Sequence, residues 1–174
     1  VLGASERRRL TDVDPVVMLG RIASATGALS VRILASTPAS IALAYSSRGV
    51  QGVLAPGLEE HGPDTAHPRV SLTSGTARID LGHVDELTRF AVVVRDARGT
   101  LVATTAFGSQ VSVDLESAPT GQIVALTGHV VGGALVLRAE LRHVPGSLRD
   151  AITAFGFNQV AWASGDQPLP PHHS

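Results

Sequence analysis

The chain has 174 residues, 44% of them hydrophobic, with a formal net charge of −1 and no Cys. That length supports one ordinary domain, able to bury about 70% of its unfolded surface without staples. The near-zero charge advertises neither nucleic acid nor a solvated acidic tail. The missing Cys excludes disulfides, a thiolate nucleophile and Cys-ligated zinc. No apolar run approaches the ~20 residues of a membrane span, and no signal peptide is evident. All 14 basic residues are Arg, a usage that fits a GC-rich genome. The chain begins at Val1 rather than Met and reads as processed, trimmed or incompletely observed.

The first residues carry Glu6-Arg7-Arg8-Arg9, expected as a solvated arm. Val16–Ile22 reads as a first strand. Ala28–Leu34 follows as a second, with Leu29, Val31 and Ile33 on one face and Ser30 and Arg32 on the other. Pro38 breaks it. Ile41, Leu43 and Tyr45 mark a third strand, and Ser46–Gly49 turns into a fourth, Val50–Leu54. Residues 55–68 hold two Gly and three Pro and are expected as the longest irregular loop. Val70–Leu72 and Ala77–Leu81 are short strands divided by Ser74-Gly75, and Val84–Leu87 reads as a single helical turn. Phe90–Val94 is unbroken apolar, as in a central strand covered on both faces. Leu101–Thr105 is expected as its hairpin partner across Arg98-Gly99. Val111, Val113 and Leu115 alternate with polar residues in a further half-exposed strand.

The most informative stretch is Gly121–Trp162. Gln122–Val131 and Ala134–His143 predict two strands joined at Gly132-Gly133, a two-residue turn that needs positive φ. Leu135, Leu137, Ala139 and Leu141 form the dry face of the second; Arg138, Glu140 and Arg142 form the wet one. A helix is predicted over Leu148–Phe155, opened by Ser147 with Asp150 three residues on and stopped by Gly156. Leu148, Ala151, Ile152 and Phe155 fall on one face, so this short helix is expected to lie on a sheet. Asn158–Trp162 reads as a last strand and Gly165–Ser174 as a loose tail. About ten short strands with one helix predict a mainly β fold, a two-sheet β-sandwich with one short C-terminal helix before the last strand. The expected organisation is an arm over 1–14, a sandwich domain over 15–163 and a flexible tail over 164–174.

No catalytic set stands out. Glu60, His61, Asp64 and His67 suggest a metal loop, but no element fixes their spacing, so a polar surface loop is the better reading. His83 and His129 read as turn residues, and His172-His173 lie in the tail. Ser109 follows Gly108 in an ordinary turn, not a nucleophile elbow. Gly132-Gly133 lies between strands and not before a helix, unlike a phosphate loop. Arg138 and Arg142 suggest an anion patch, but Glu140 between them is expected to neutralise it.

The order of residues resembles the TerD family of bacterial tellurium-resistance and stress-response proteins over roughly residues 15–162. Arg78–Leu81 followed by Val84–Val94 resembles the family's IDL-containing strand, turn and strand. Val124–Ala139 resembles its hairpin, and Gly146–Val160 its closing helix and strand. Leu19-Gly20, Thr26-Gly27, Tyr45-Ser46-Ser47 and Glu60-His61-Gly62 fall near further family segments. The resemblance implies a two-sheet sandwich, calcium binding in many members, and a non-enzymatic role in stress complexes.

Calcium takes 6–8 oxygens, largely carboxylate. The segment matching the family's acid-rich strand start, Gly27–Leu34, has no carboxylate and brings in Arg32. The family's Trp-Asp after Leu-Gly is replaced by Arg21-Ile22. Glu59, Glu60 and Asp64 remain in the long loop, with Asp80 at the next strand; Glu60, Asp64 and Asp80 are the candidate ligands, too scattered for a cage. The expectation is therefore a TerD-like interaction or scaffold module without a cofactor or catalytic residues and with degenerate calcium sites. It is expected in the cytoplasm, bound to other proteins of a stress complex or to itself, and to neither nucleic acid nor membrane. The alternative is a small-ligand or calcium-binding domain using the 55–68 loop.

Overall fold

The computed structural model describes residues 6–20, 27–35, 40–56, 61–62, 70–73, 75–81, 86–106, 108–116 and 121–169. Among the described residues fifteen strands and one helix follow one another; the first are β1 (Arg7–Leu10), β2 (Val16–Leu19), β3 (Ala28–Leu34), β4 (Ile41–Ser47), β5 (Val50–Leu54), β6 (His61–Gly62), β7 (Val70–Thr73) and β8 (Thr76–Asp80). Then come β9 (Leu87–Arg95), β10 (Thr100–Thr104), β11 (Gln110–Asp114), β12 (Gln122–Val131), β13 (Ala134–His143), α1 (Leu148–Ala154), β14 (Trp162–Ser164) and β15 (Gln167–Pro168). A seven-stranded sheet runs β1-β11-β10-β3-β8-β7-β6, and a six-stranded sheet runs β2-β13-β12-β9-β4-β5. The expected two-sheet sandwich, with its helix late in the chain, is the fold observed.

The core between the sheets takes alternate residues of both: Leu29 and Val31 of β3, Ala77 and Ile79 of β8, Ile41, Leu43 and Tyr45 of β4, and Phe90, Val92 and Val94 of β9. One register row crosses four strands as Gly52, Tyr45, Phe90 and Gly128. A Cβ on Gly52 would lie 2.4 Å from the Tyr45 hydroxyl oxygen, and one on Gly128 would lie 2.2 Å from Phe90 Cε1. Both aromatic rings thus lie over glycine, which lets two large side chains stand side by side in a core short of aromatic residues.

The expected hairpin turn forms, with φ of 58° at Gly132 and 78° at Gly133, both in the left-handed region a type I′ turn needs. The register shifts between Val124 and Leu126 against both neighbouring strands. This irregularity sends Ala125 and Leu126, successive residues, into the same core.

A second hydrophobic cluster lies on the opposite face of the six-stranded sheet. Ala42, Ala44, Val53, Ala91, Val93 and Val124 point outward there and are covered by Leu148, Ala151 and Ile152 of α1 and by Phe157. This explains the unbroken apolar runs of β4, β9 and β12: each is covered on both faces. Phe155, expected on the buried face, is the half-buried C-cap, and Phe157 takes the deep position at 2% exposure. The helix ends in a Schellman motif. Gly156 has φ 85°, its N–H donates to Thr153 O, and Phe157 N–H donates to Ile152 O. Arg89 on β9 completes the cap by donating to Phe155 O and Gly156 O, with its guanidinium 4.0 Å from the Phe157 ring centroid. Burial lowers the Arg89 pKa below its ordinary value.

Several expectations need correction. Arg7–Leu10, read as part of a solvated arm, is a strand parallel to β11, because Leu10 reaches the core. The Leu101–Thr105 segment is not the hairpin partner of β9. β10 pairs with β3 and β11, since the chain crosses between the sheets after Arg95. Among the described residues Asn158–Trp162 does not join a main sheet; β14 pairs with β15 in a small hairpin. The segment read as a loose tail is ordered through Leu169, because Asp166 accepts the free Leu148 N–H at 2.9 Å and Gly165 O accepts that of Arg149. His61–Gly62, read as irregular, pairs with β7. The first strand ends at Leu19, and of the expected helical turn over Val84–Leu87 the described part is Glu86, in a turn, and Leu87, which opens β9.

Candidate functional site

The outward side of the seven-stranded sheet has a different composition. Because core residues occupy alternate positions on β3, β7 and β8, the remaining ones face out: Ala28, Ser30 and Arg32; Ser71 and Thr73; Thr76, Arg78 and Asp80. The same alternation on β10, β11 and β1 turns out Thr100, Thr104, Gln110, Ser112, Asp114, Arg7 and Arg9, together with Val102, which lies opposite Arg32 and is buried. Among the described residues no helix covers this face.

A cleft of about 670 Å³ opens on it, lined by Gly27, Ala28, Ser71, Thr73, Thr76, Arg78 and Asp80. The ladder fixes its donors. Arg78 is in register with Ser30 on β3 and with Ser71 on β7, and Thr73 is opposite Thr76. Arg32 lies one residue beyond the registered pair Val31–Ala77 and so sits diagonally from Arg78. Cross-strand diagonal neighbours are about 7–8 Å apart, within reach of two long side chains that share a ligand.

The arginines divide by sheet. On the six-stranded sheet Arg48 pairs with Glu86 at 2.5 Å, Arg138 with Glu140 at 3.4 Å, Arg89 caps the helix, and Arg142 stands 5.5 Å from the Phe155 ring centroid. On the seven-stranded sheet Arg9 pairs with Asp114 at 2.8 Å, while Arg32 and Arg78 form no ion pair or hydrogen bond among the described residues. The expected neutralisation of Arg138 by Glu140 is present, and Thr127 Oγ1 also donates to Glu140, at 2.9 Å.

Of the three candidate metal ligands, Asp80 is placed at the end of β8 opposite Ala28, in the cleft just described. Glu60 and Asp64 lie outside the described residues, as do Glu59, His67, His83 and His172-His173. Among the described residues no three His, Asp or Glu converge. The neighbours of Asp80 in the cleft are hydroxyls and a guanidinium, which is poor company for calcium. His129 is an exposed strand residue opposite Arg89, not a turn residue. Ser109 is fully buried in a turn, its N–H donating to Thr105 Oγ1 at 3.1 Å.

A second cleft of about 730 Å³ lies beside α1, lined by residues that include Asp150, Thr153, Phe157 and Trp162. Its carboxylate is already committed. Asp150 accepts from the Ser147 N–H at 2.8 Å and from its hydroxyl at 3.0 Å, which holds its pKa below the ordinary value. The cleft on the seven-stranded sheet keeps its donors uncommitted among the described residues and is the better candidate. Sequence reasoning missed Arg78, Ser30 and Ser71 as a set, because only the pairing order β3-β8-β7 brings them together.

Among the described residues no helix is long and apolar enough to cross a membrane. Set against family models, curated proteins and solved structures, the chain matches none of them.

Proposed function

We propose that this chain is a divergent TerD-like sandwich, acting in the cytoplasm as a non-catalytic interaction module of a bacterial stress-response assembly, with its calcium sites degenerate. The observation that carries the reading is the outer face of β3, β8 and β7 in the seven-stranded sheet, which no helix covers among the described residues. That face offers Ser30, Ser71, Thr73, Thr76, Arg32 and Arg78 on a rigid ladder, while the other sheet has its outer face covered by α1. A backbone fixed by strand pairing loses little freedom on binding, which favours recognition. The segments that resemble the TerD family lie in β8 and β9, in the β12–β13 hairpin and in α1 with its cap, which supports the kinship.

The test is capture of protein partners from a bacterial lysate by the intact chain and by Thr76→Trp, which obstructs the face. A partner held by the first and lost by the second, at unchanged melting temperature, is the expected result. Equal retention by both overturns the reading.

Asp80 beside Arg78 in one cleft favours a second reading, a small-ligand or calcium-binding domain. Degenerate calcium sites predict a melting temperature unmoved by micromolar calcium. A rise would favour the alternative, since a ligand that binds only the folded state must stabilise it.

A further inference from the structure

The geometry points to a phosphate-monoester site on the outer face of β3, β8 and β7, held by Arg32 and Arg78 with Ser30, Ser71 and Thr76. The inference rests on the reading of this face as a recognition surface and names the chemistry it recognises.

Two cations occupy one diagonal of a small square on β3 and β8, and two hydroxyls the other: Arg32 and Arg78 against Ser30 and Thr76. Ser71 flanks Arg78 from the far side. Like charges placed about 7–8 Å apart repel unless something lies between them. Neither guanidinium has an ion-pair partner among the described residues, although most arginines of the other sheet do have one or are stacked. Asp80, the carboxylate in the cleft, has a partner of its own, whereas Arg78 has none among the described residues. The square therefore has donors at four corners and, among the described residues, no charged acceptor group at its centre.

The shape of that acceptor group follows from the donors. A carboxylate has two oxygens, and one bidentate guanidinium satisfies both. A phosphate monoester has three acceptor oxygens and a charge of about −1.5 to −2 at neutral pH, enough to engage two guanidiniums and the hydroxyls between them. Nucleic acid fits poorly. It rewards a row of many phosphate contacts, whereas here the uncommitted pair is flanked by hydroxyls on a chain of net charge −1. Arg in place of Lys suits the site, because its planar fork reads oxyanion geometry where an ammonium offers only a point charge.

The test is calorimetric titration of the intact chain with a phosphoserine peptide, with the same peptide carrying Ser or Glu instead, and with free O-phosphoserine. The phosphopeptide should bind at least about tenfold more tightly than either control peptide, and inorganic phosphate should displace it. Arg78→Gln and Arg32→Gln should each weaken binding about tenfold or more, as expected on loss of a charge-assisted fork. Arg78→Lys should recover part of that loss, and Arg138→Gln, on the other sheet, should change nothing. The ratio of peptide to free phosphoserine affinity tells whether the monoester is carried by a protein or by a small molecule. No binding of any phosphorylated probe, equal binding of the Glu peptide, or unchanged binding by Arg78→Gln overturns the proposal. Retention of a protein partner in those same cases would leave the interaction reading standing and remove only the phosphoryl site.

Discussion

On the six-stranded sheet the outward residues of β4, β9 and β12 are Ala42, Ala44, Ala91, Val93 and Val124, and a helix lies on them. On the seven-stranded sheet the outward residues of β3, β7 and β8 are mostly Ser, Thr and Arg, and among the described residues no helix lies on them. Both sheets bury the same kind of inner face, so the difference isolates what the outer faces are for. Small apolar residues let α1 approach closely, and that covered layer contributes stability. The hydroxyl and guanidinium face contributes little to folding and leaves its donors available for a ligand.

Substitutions can break or sharpen this contrast. The largest loss is expected for Phe157→Ala, which empties the pocket beneath the helix cap and should destabilise by about 3–5 kcal/mol in denaturant unfolding. Arg89→Met removes two charge-assisted hydrogen bonds to the Phe155 and Gly156 carbonyls and should destabilise by roughly 2–3 kcal/mol, with α1 exchanging its amide hydrogens sooner than β9. Gly128→Ala, in the glycine–aromatic row of the six-stranded sheet, should destabilise by about 1–3 kcal/mol because its methyl meets Phe90. In a Phe90→Ala background the same change should cost far less, a coupling that a double-mutant cycle reads directly.

Asp150→Asn should cost less, and its effect is tied to pH. The Asp150 pKa is lowered in the fold, first by the Ser147 backbone hydrogen bond, so its contribution is present above the ordinary carboxylate value and fades as pH falls through the lowered one. The stability gap between Asp150→Asn and the parent should therefore close on acidification. The smallest effect is expected from Arg78→Gln, within about 0.5 kcal/mol of the parent, since this side chain is exposed and without an ion-pair partner among the described residues. A larger change in Arg78→Gln than in Phe157→Ala would reverse the assignment of the two faces.

Much of the fold was legible in local pattern. The β12–β13 hairpin reads from Gly132-Gly133 and the alternation of Leu135, Leu137 and Ala139, because a two-residue turn and a period of two are local constraints. The helix reads from its face and from Gly156. The mispairing of β10 with β9 has a physical reason too: an apolar run followed by Arg98-Gly99 looks the same whether the chain folds back in its own sheet or crosses to the other. Phe155 and Phe157 are both apolar, and only the Schellman turn decides which one points into the sheet. Asp80 was legible as a carboxylate near a strand end, but its neighbours were not.

The sequence by itself determined where most of the strands and the helix lie and that β9 is covered on both sides, because periodicity and turn chemistry act over a few residues. The tertiary structure alone decided that β3, β8 and β7 are neighbours, that Arg89 reaches the helix end, and that Ser30, Ser71 and Arg78 share one row. Those outcomes depend on pairings between residues far apart along the chain, whose order is set by the packing of the two sheets and by no local preference.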